Sequence, residues 1–195
     1  ASVTYTGSAL TPCTVSVTGA GGLSLAPTPS YADNTNAGTA SASYSYAGDD
    51  NYKPSSDSST FTIDKANVSV DITWSDSSYD GTANAASAVV SGPVAADNPI
   101  VNPAATLTYY PGSDTSGSAL SGAPKDAGTY TVAADFAGNG NYKPNSATKT
   151  ITIGKADTVT KVTCPSSSLT YNGQARTPCS VSVTGPGGLN LSPTP

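Results

Sequence analysis

The chain has no histidine, no glutamate and no methionine. Its 13 acidic residues are therefore all aspartate, and Ser-His-Asp, Cys-His and zinc-deaminase sites are excluded by composition. A Ser-Lys pair is formally left, but serine is so abundant that every lysine has one nearby in sequence, and these residues read as solvated surface. Basic residues are scarce as well: 8 Lys and Arg against 13 acidic residues leave a net charge of −5. With no stripe of Lys and Arg, the counterion-release term that drives nucleic-acid binding is missing, so nucleic acid is not an expected partner. Anionic lipid surfaces are disfavoured for the same reason. No apolar run approaches the roughly 20 residues that span a bilayer, so no membrane insertion is expected. The missing methionine and the lack of any leader suggest that these 195 residues are a stretch of something longer.

Only 11% of residues are charged, against about 25% in an ordinary soluble domain, so Ser, Thr, Asn and Gly carry the solubility. Disorder is not the reading, because 11 Tyr, 2 Phe and Trp74 accompany alternating Val and Ile runs that supply surface to bury.

The most informative feature is repetition. TPCTVSVTG (Thr11 to Gly19) returns as TPCSVSVTG (Thr177 to Gly185), and the match runs without gaps from Ser167 on Ala1 to Pro195 on Pro29, a shift of 166 (167 − 1). A second shift, of 90 (126 − 36), lays Asn36–Ala66 on Asp126–Ala156, keeping AGT, AG, NYKP and the closing K-A in register. YTG at Tyr5, YDG at Tyr79 and YNG at Tyr171 each open a unit. The expected organisation is an alternation of two modules: residues 1–66, a module A lacking its first strand; residues 67–156, a module B; and residues 157–195, the N-terminal half of the next module A.

VSVDITW places Val68, Val70, Ile72 and Trp74 on one face and Ser69, Asp71 and Thr73 on the other, the period-two mark of a half-buried strand. TYTVAADF does the same with Tyr130, Val132, Ala134 and Phe136. TKTITIG adds Ile151 and Ile153, STFTIDK adds Phe61 and Ile63, SASYSYAG adds Tyr44 and Tyr46, and CTVSVTG adds Val15 and Val17. Between these runs lie turn clusters rich in Gly, Pro, Asn and Asp, and no window carries a helical period. The expected fold class is all-β: tandem immunoglobulin-like β-sandwich modules in a head-to-tail array, each with six or seven short antiparallel strands.

The three cysteines follow the repeat. Cys164 and Cys179 flank the YNG turn and are expected to form a disulfide, while Cys13 aligns with Cys179 and is expected to pair with a residue outside this stretch. A bridge closing about 15 residues adds roughly 3 kcal/mol in the chain-entropy treatment and implies an oxidising, extracellular setting. The rival readings are a reactive thiol or a metal site, and without histidine or a CxxC pair zinc has too few ligands. No cofactor is expected. GAGGL and GPGGL resemble phosphate cradles superficially, but no GK[ST] follows, and they read as turns. AGDDNYKP and SDSSYDG gather carboxylates and amides suited to Ca²⁺ at a module junction, or to plain turns. Asn67-Val-Ser and Asn190-Leu-Ser are glycosylation sequons. Lys65 and Lys155 recur at module ends and read as junction residues rather than as partners in an isopeptide crosslink.

Taken together, YxG, VxVTGxGGL, AGTxxxxxxxAGxxNYxP and TFTIxKA resemble the MBG, or YGX-type, repeats, bacterial immunoglobulin-like modules found in tandem in large secreted and surface-attached proteins. The resemblance covers nearly the whole chain. It departs in VVSGPVAADNPIVNPAATLTYYPGSDTSG, which is longer and lacks cysteine. It implies surface location and a stalk or adhesin role, with no catalytic residues to carry over. The expected function is a structural repeat of a long extracellular bacterial surface protein or fibre, not an enzyme. Its expected partners are neighbouring modules of the array and other copies of the chain in a fibre. The alternative is a glycan- or mucin-binding adhesion module, with exposed Tyr or Trp74 stacking on sugars. In the first reading, the strand missing from residues 1–66 is expected from a continuing chain rather than from the tail of another molecule.

Overall fold

The structure is a computed structural model that describes residues 2–194. Ala1 and Pro195, which bound the first and third expected modules, lie outside the described residues. The fold is all-β with several sheets, in keeping with a β-sandwich, and its helical pieces among the described residues are three 3-10 turns at Ala20–Gly22, Ala95–Asp97 and Pro186–Gly188. The chain forms two compact units: unit 1 holds Ala1–Asp71, Ala88–Thr106 and Asp135–Ala147, and unit 2 holds Ile72–Ser87, Leu107–Ala134 and Thr148–Pro195. Residues 67–156 contribute to both.

In unit 1 the strands β1 (Ser2–Thr4), β2 (Val17–Gly19), β3 (Leu23–Leu25), β4 (Ser30–Ala32), β5 (Gly38–Tyr46) and β6 (Ser55–Asp64) form a sheet of order β1-β6-β5-β4 and a β2-β3 hairpin. The long β5–β6 pair is antiparallel, from Gly38 opposite Ile63 to Tyr46 opposite Ser55. Gly48 turns the chain between these strands at φ 82°, and a side chain there would run into the backbone of Tyr52. Alternation places Ala40, Ala42, Phe61 and Ile63 in the core, with Tyr31 edge-on to Phe61 at 6.1 Å. Tyr44 and Tyr46 share the face of Ala40 and Ala42 but are only half-buried, because they border an open groove. The expected all-antiparallel pairing is corrected at β1, which runs parallel to β6. No hairpin joins these two strands, so nothing local fixes their relative direction.

The chain continues through β7 (Ser69–Thr73), β8 (Ser77–Ser78), β9 (Ser87–Ser91), β10 (Thr106–Pro111), β11 (Gly128–Phe136) and β12 (Asn145–Gly154) to β13 (Val159–Thr163), β14 (Ser180–Gly185) and β15 (Leu189–Leu191). β7 pairs with β9. In unit 2 the order β8-β12-β11-β10 repeats β1-β6-β5-β4, down to the parallel pairing of β8 with β12. Its core packs Trp74, Tyr109, Val132, Ile151 and Ile153, with the Trp74 and Tyr109 rings edge-on at 5.5 Å. The indole N–H donates to the carbonyl and the side-chain oxygen of Asn84, at 3.1 and 3.2 Å. Thr131, a buried polar residue of this sheet, donates to Gly112 O at 3.0 Å and meets Thr150 Oγ1 at 2.9 Å. Pairing satisfies it as burial demands.

The two copies of TPCxVSVTG fold alike on one edge and differently on the other. β2 pairs with β3 as β14 pairs with β15, with the same register: Val17 opposite Leu25 and Val183 opposite Leu191. β14, however, also pairs antiparallel with β13, from Val159 opposite Thr184 to Thr163 opposite Ser180. β2 has no counterpart of β13 among the described residues. The strand expected over Cys13–Gly19 is accordingly confined to Val17–Gly19, since a ladder needs a partner.

Candidate functional site

Two of the three YxG motifs, at Tyr5 and Tyr79, pack against the 3-10 turn of the stretch that follows in the repeat. In unit 1, Tyr5 is 6% exposed and Tyr142 2% exposed, and their rings meet edge to face at 5.5 Å and 88°. Both hydroxyls donate to Asp97 Oδ2 on the turn, at 3.0 Å from Tyr5 and 2.6 Å from Tyr142. Burial first, and the Asp97 carboxylate second, push both phenols above their ordinary value. Two features demand glycine here. Gly7 sits at φ 77°, where a Cβ would lie 2.7 Å from Val94 Cγ1, and a Cβ on Gly92 would lie 2.5 Å from the Tyr142 ring. Asn98 holds the Gly92 end of this loop by accepting the Gly92 N–H and donating to its carbonyl, at 2.8 and 2.9 Å.

The K-A ending meets the NYKP loop in the same cluster. Ala66 N–H donates to Asn141 O and Lys143 N–H to Ala66 O, both at 2.9 Å, and the Lys65 ammonium donates to Asn139 O at 2.6 Å. Asn141 accepts the Ala37 N–H at 3.0 Å and donates to Asn36 Oδ1 at 3.1 Å. Ala66 is 1% exposed. The Lys65 ammonium is thus bonded to a backbone carbonyl.

In unit 2 the pattern recurs with glycine on both sides. Gly81, at φ 82°, and the Tyr79 ring lie against Gly187, itself at φ 69°. Tyr79 is half-buried. Beside it, Lys155 and Ala156 border an open cleft of about 460 Å³ whose other wall is Pro186–Leu189.

Cys164 and Cys179 form a disulfide. Cys13 is a free, half-buried thiol, and the Tyr31 hydroxyl accepts its N–H and donates to its carbonyl, each at 2.9 Å.

The acidic loops are used as turns. Asp49 accepts the N–H groups of Asn51 and Tyr52 and the Tyr46 hydroxyl. Asp80 accepts both Thr82 donors. These bonds lower both carboxyl pKa values, led by the Asn51 N–H for Asp49 and by the Thr82 hydroxyl for Asp80. Among the described residues no three Cys or Asp converge as metal ligands. Asn67 and Asn190 are both exposed. Trp74 is 3% exposed, whereas Tyr171 is 91% exposed.

Sequence reasoning missed Asp97. It lies in the part of residues 67–156 that departs from the repeat, so no recurring counterpart marked it. The recurrence of Tyr52 and Tyr142 in NYKP was the available signal for its partner. Tyr52 makes the simpler version of the contact, donating to Ala20 O at 2.5 Å.

Neither the protein-family models nor the curated proteins match this chain. The disulfide is compatible with a secreted or extracellular protein. Among the described residues no helix is long and apolar enough to cross a membrane.

Proposed function

We propose that this chain is a structural repeat of a long extracellular surface protein or fibre, its modules at residues 1–66, 67–156 and 157–195 joined head to tail as a stalk, filament spacer or adhesin shaft. The observation that carries this reading is the Tyr5–Asp97–Tyr142 cluster with its Ala66–Asn141 backbone pairing. It docks the end of the first module onto the second with no spacer, where a flexible joint would carry a Gly/Ser linker. The recurrence of YxG on a glycine-bearing turn at Tyr79 and Gly187 supports the same use in series. Partners are neighbouring modules and other copies in a fibre. No catalytic role, nucleic-acid partner or membrane insertion is assigned.

The test is electron microscopy of native material, which under this reading displays a fibre with a constant axial repeat of one A plus one B module. Isolated globular particles alone overturn it. A second reading, adhesion to glycans or mucin, draws on the exposed Tyr171 ring, while the buried Trp74 weighs against the indole as a sugar platform. A glycan array on which Tyr171→Ala abolishes a reproducible hit selects this second reading.

A further inference from the structure

The half-buried Cys13 stands at the rim of a groove of about 340 Å³ in unit 1, walled on one side by Cys13–Thr18 and on the other by Ala42, Tyr44, Tyr46 and the Ser55–Ser59 stretch of β6. Two other parts of the chain indicate what fits there. The shift of 166 carries Ser180–Thr184, the residues of β14 that pair with β13, onto Thr14–Thr18, the wall of the groove. It also carries Cys179, which is bonded to Cys164 at the end of β13, onto Cys13.

The shift of 90 gives an independent answer. Asn145 and Lys149 of β12 correspond to Ser55 and Ser59 on the opposite wall. In their own surroundings these two exposed side chains reach the main chain at and just before β7: Asn145 Nδ2 donates to Val68 O at 2.7 Å, and Lys149 Nζ to Ile72 O at 3.4 Å. One wall of the groove thus matches a surface that pairs with an extended strand elsewhere in the molecule, and the other matches positions whose side chains reach the extended main chain of Val68–Ile72.

We propose that this groove is a strand-acceptor site. Its occupant is an extended segment with the pattern of Val159–Cys164, valines two and five positions before a cysteine, carried by an adjoining module of the array. It adds antiparallel to Thr14–Thr18 as β13 adds to β14, supplying main-chain hydrogen bonds for affinity and side-chain alternation for register. Its cysteine then lies beside Cys13. When the bond forms, the two thiols lose two protons and two electrons to an external disulfide, which is reduced to two thiols. The proposal rests on the tandem reading, and it adds that the contact is specific enough to form in trans.

The experiment uses the full chain with its Cys164–Cys179 bridge intact and a peptide of sequence Ala156–Pro165 whose cysteine carries thionitrobenzoate as a mixed disulfide. Cys13 thiolate attacks the peptide sulfur, the sulfur–thionitrobenzoate bond breaks, and its electron pair leaves with the coloured thiolate. Release is expected about tenfold or more faster than from a peptide of the same composition with its valines moved, the excess reflecting local concentration in the groove. Intact mass should rise by one peptide, mapped to Cys13. In Cys13→Ser, a peptide with serine in place of cysteine is expected to slow amide exchange across Val15–Val17.

Equal release from both peptides, together with no slowing in Cys13→Ser, overturns the site. Chain incubated alone that forms a Cys13–Cys164-linked dimer overturns the assigned source, since the occupant is then a second copy. Peptide capture in a protein whose native form lacks a fibre repeat refutes the array and leaves the acceptor standing. A fibre repeat without peptide capture does the reverse.

Discussion

Tyr5 and Tyr79 open the same YxG motif and end in different surroundings. Tyr5 is almost fully covered, edge-on to Tyr142 and bonded to Asp97, with Lys65 and Ala66 held by the Asn139–Lys143 loop. Tyr79 lies on Gly187 and is half-buried, and Lys155 and Ala156 border an open cleft. The YxG-on-turn contact is thus common to both places, whereas the burial that gives it strength comes from a second element, the NYKP loop. On the proposed tandem reading, a motif of this kind specifies where modules touch. The loop laid over it specifies how firmly.

That difference sets the order of expected effects. Tyr142→Ala removes the ring that covers Tyr5 and leaves the Asp97 carboxylate with one donor, so unit 1 should lose about 3–5 kcal/mol in chemical denaturation. Its counterpart Tyr52→Ala, at a half-buried ring, should lose about 1–2 kcal/mol. Equal losses would remove the distinction between the two loops.

Next in size are the glycines. Gly81→Ala forces a side chain onto the Gly187 backbone at a positive φ, 2.6 Å from its Cα, and should cost about 2–3 kcal/mol. Gly7→Ala meets only the tip of Val94 and should cost about 1–2 kcal/mol, mostly from φ. Amide exchange across β14 and across Ala95–Asp97 reports each separately, and a larger effect at Gly7 than at Gly81 breaks the comparison.

Alkaline pH probes the phenols. Their folded pKa values lie above the ordinary 10.0, so above that pH the unfolded chain releases protons that the folded one retains. The stability they contribute is complete below pH 10 and falls as pH rises beyond it. Tyr5→Phe with Tyr142→Phe should flatten this decline. Asp97→Asn should lessen it without abolishing it, because burial remains the first cause. An unchanged profile in the double variant contradicts the assignment. Smallest of all, Lys65→Ala should cost about 0.5 kcal/mol, since its bond is exposed, and Lys155→Ala about 0.

Much of this architecture is legible in the sequence because its causes are local. The alternation in VSVDITW predicts a buried Trp74, and YxG and NYKP mark turns by their Gly, Pro and Asn. The limits are equally physical. TPCTVSVTG and TPCSVSVTG are nearly the same string, yet six residues of one pair as a strand and three of the other, because strand identity depends on a partner supplied from far along the chain. The parallel direction of β1 is likewise set by nonlocal pairing. Asp97 lies in a segment with no internal counterpart, so its role emerges only when folding brings Tyr5 and Tyr142 to it.

The Ala66 end of one stretch is locked into the NYKP loop of the next. Hydrogen exchange at the Ala66 and Lys143 amides, followed by NMR on the intact chain, tests it most directly. Both amides should exchange only with the cooperative unfolding of unit 1, far more slowly than the Ala156 amide beside its open cleft. Exchange of all three at similar, near-unprotected rates would contradict it.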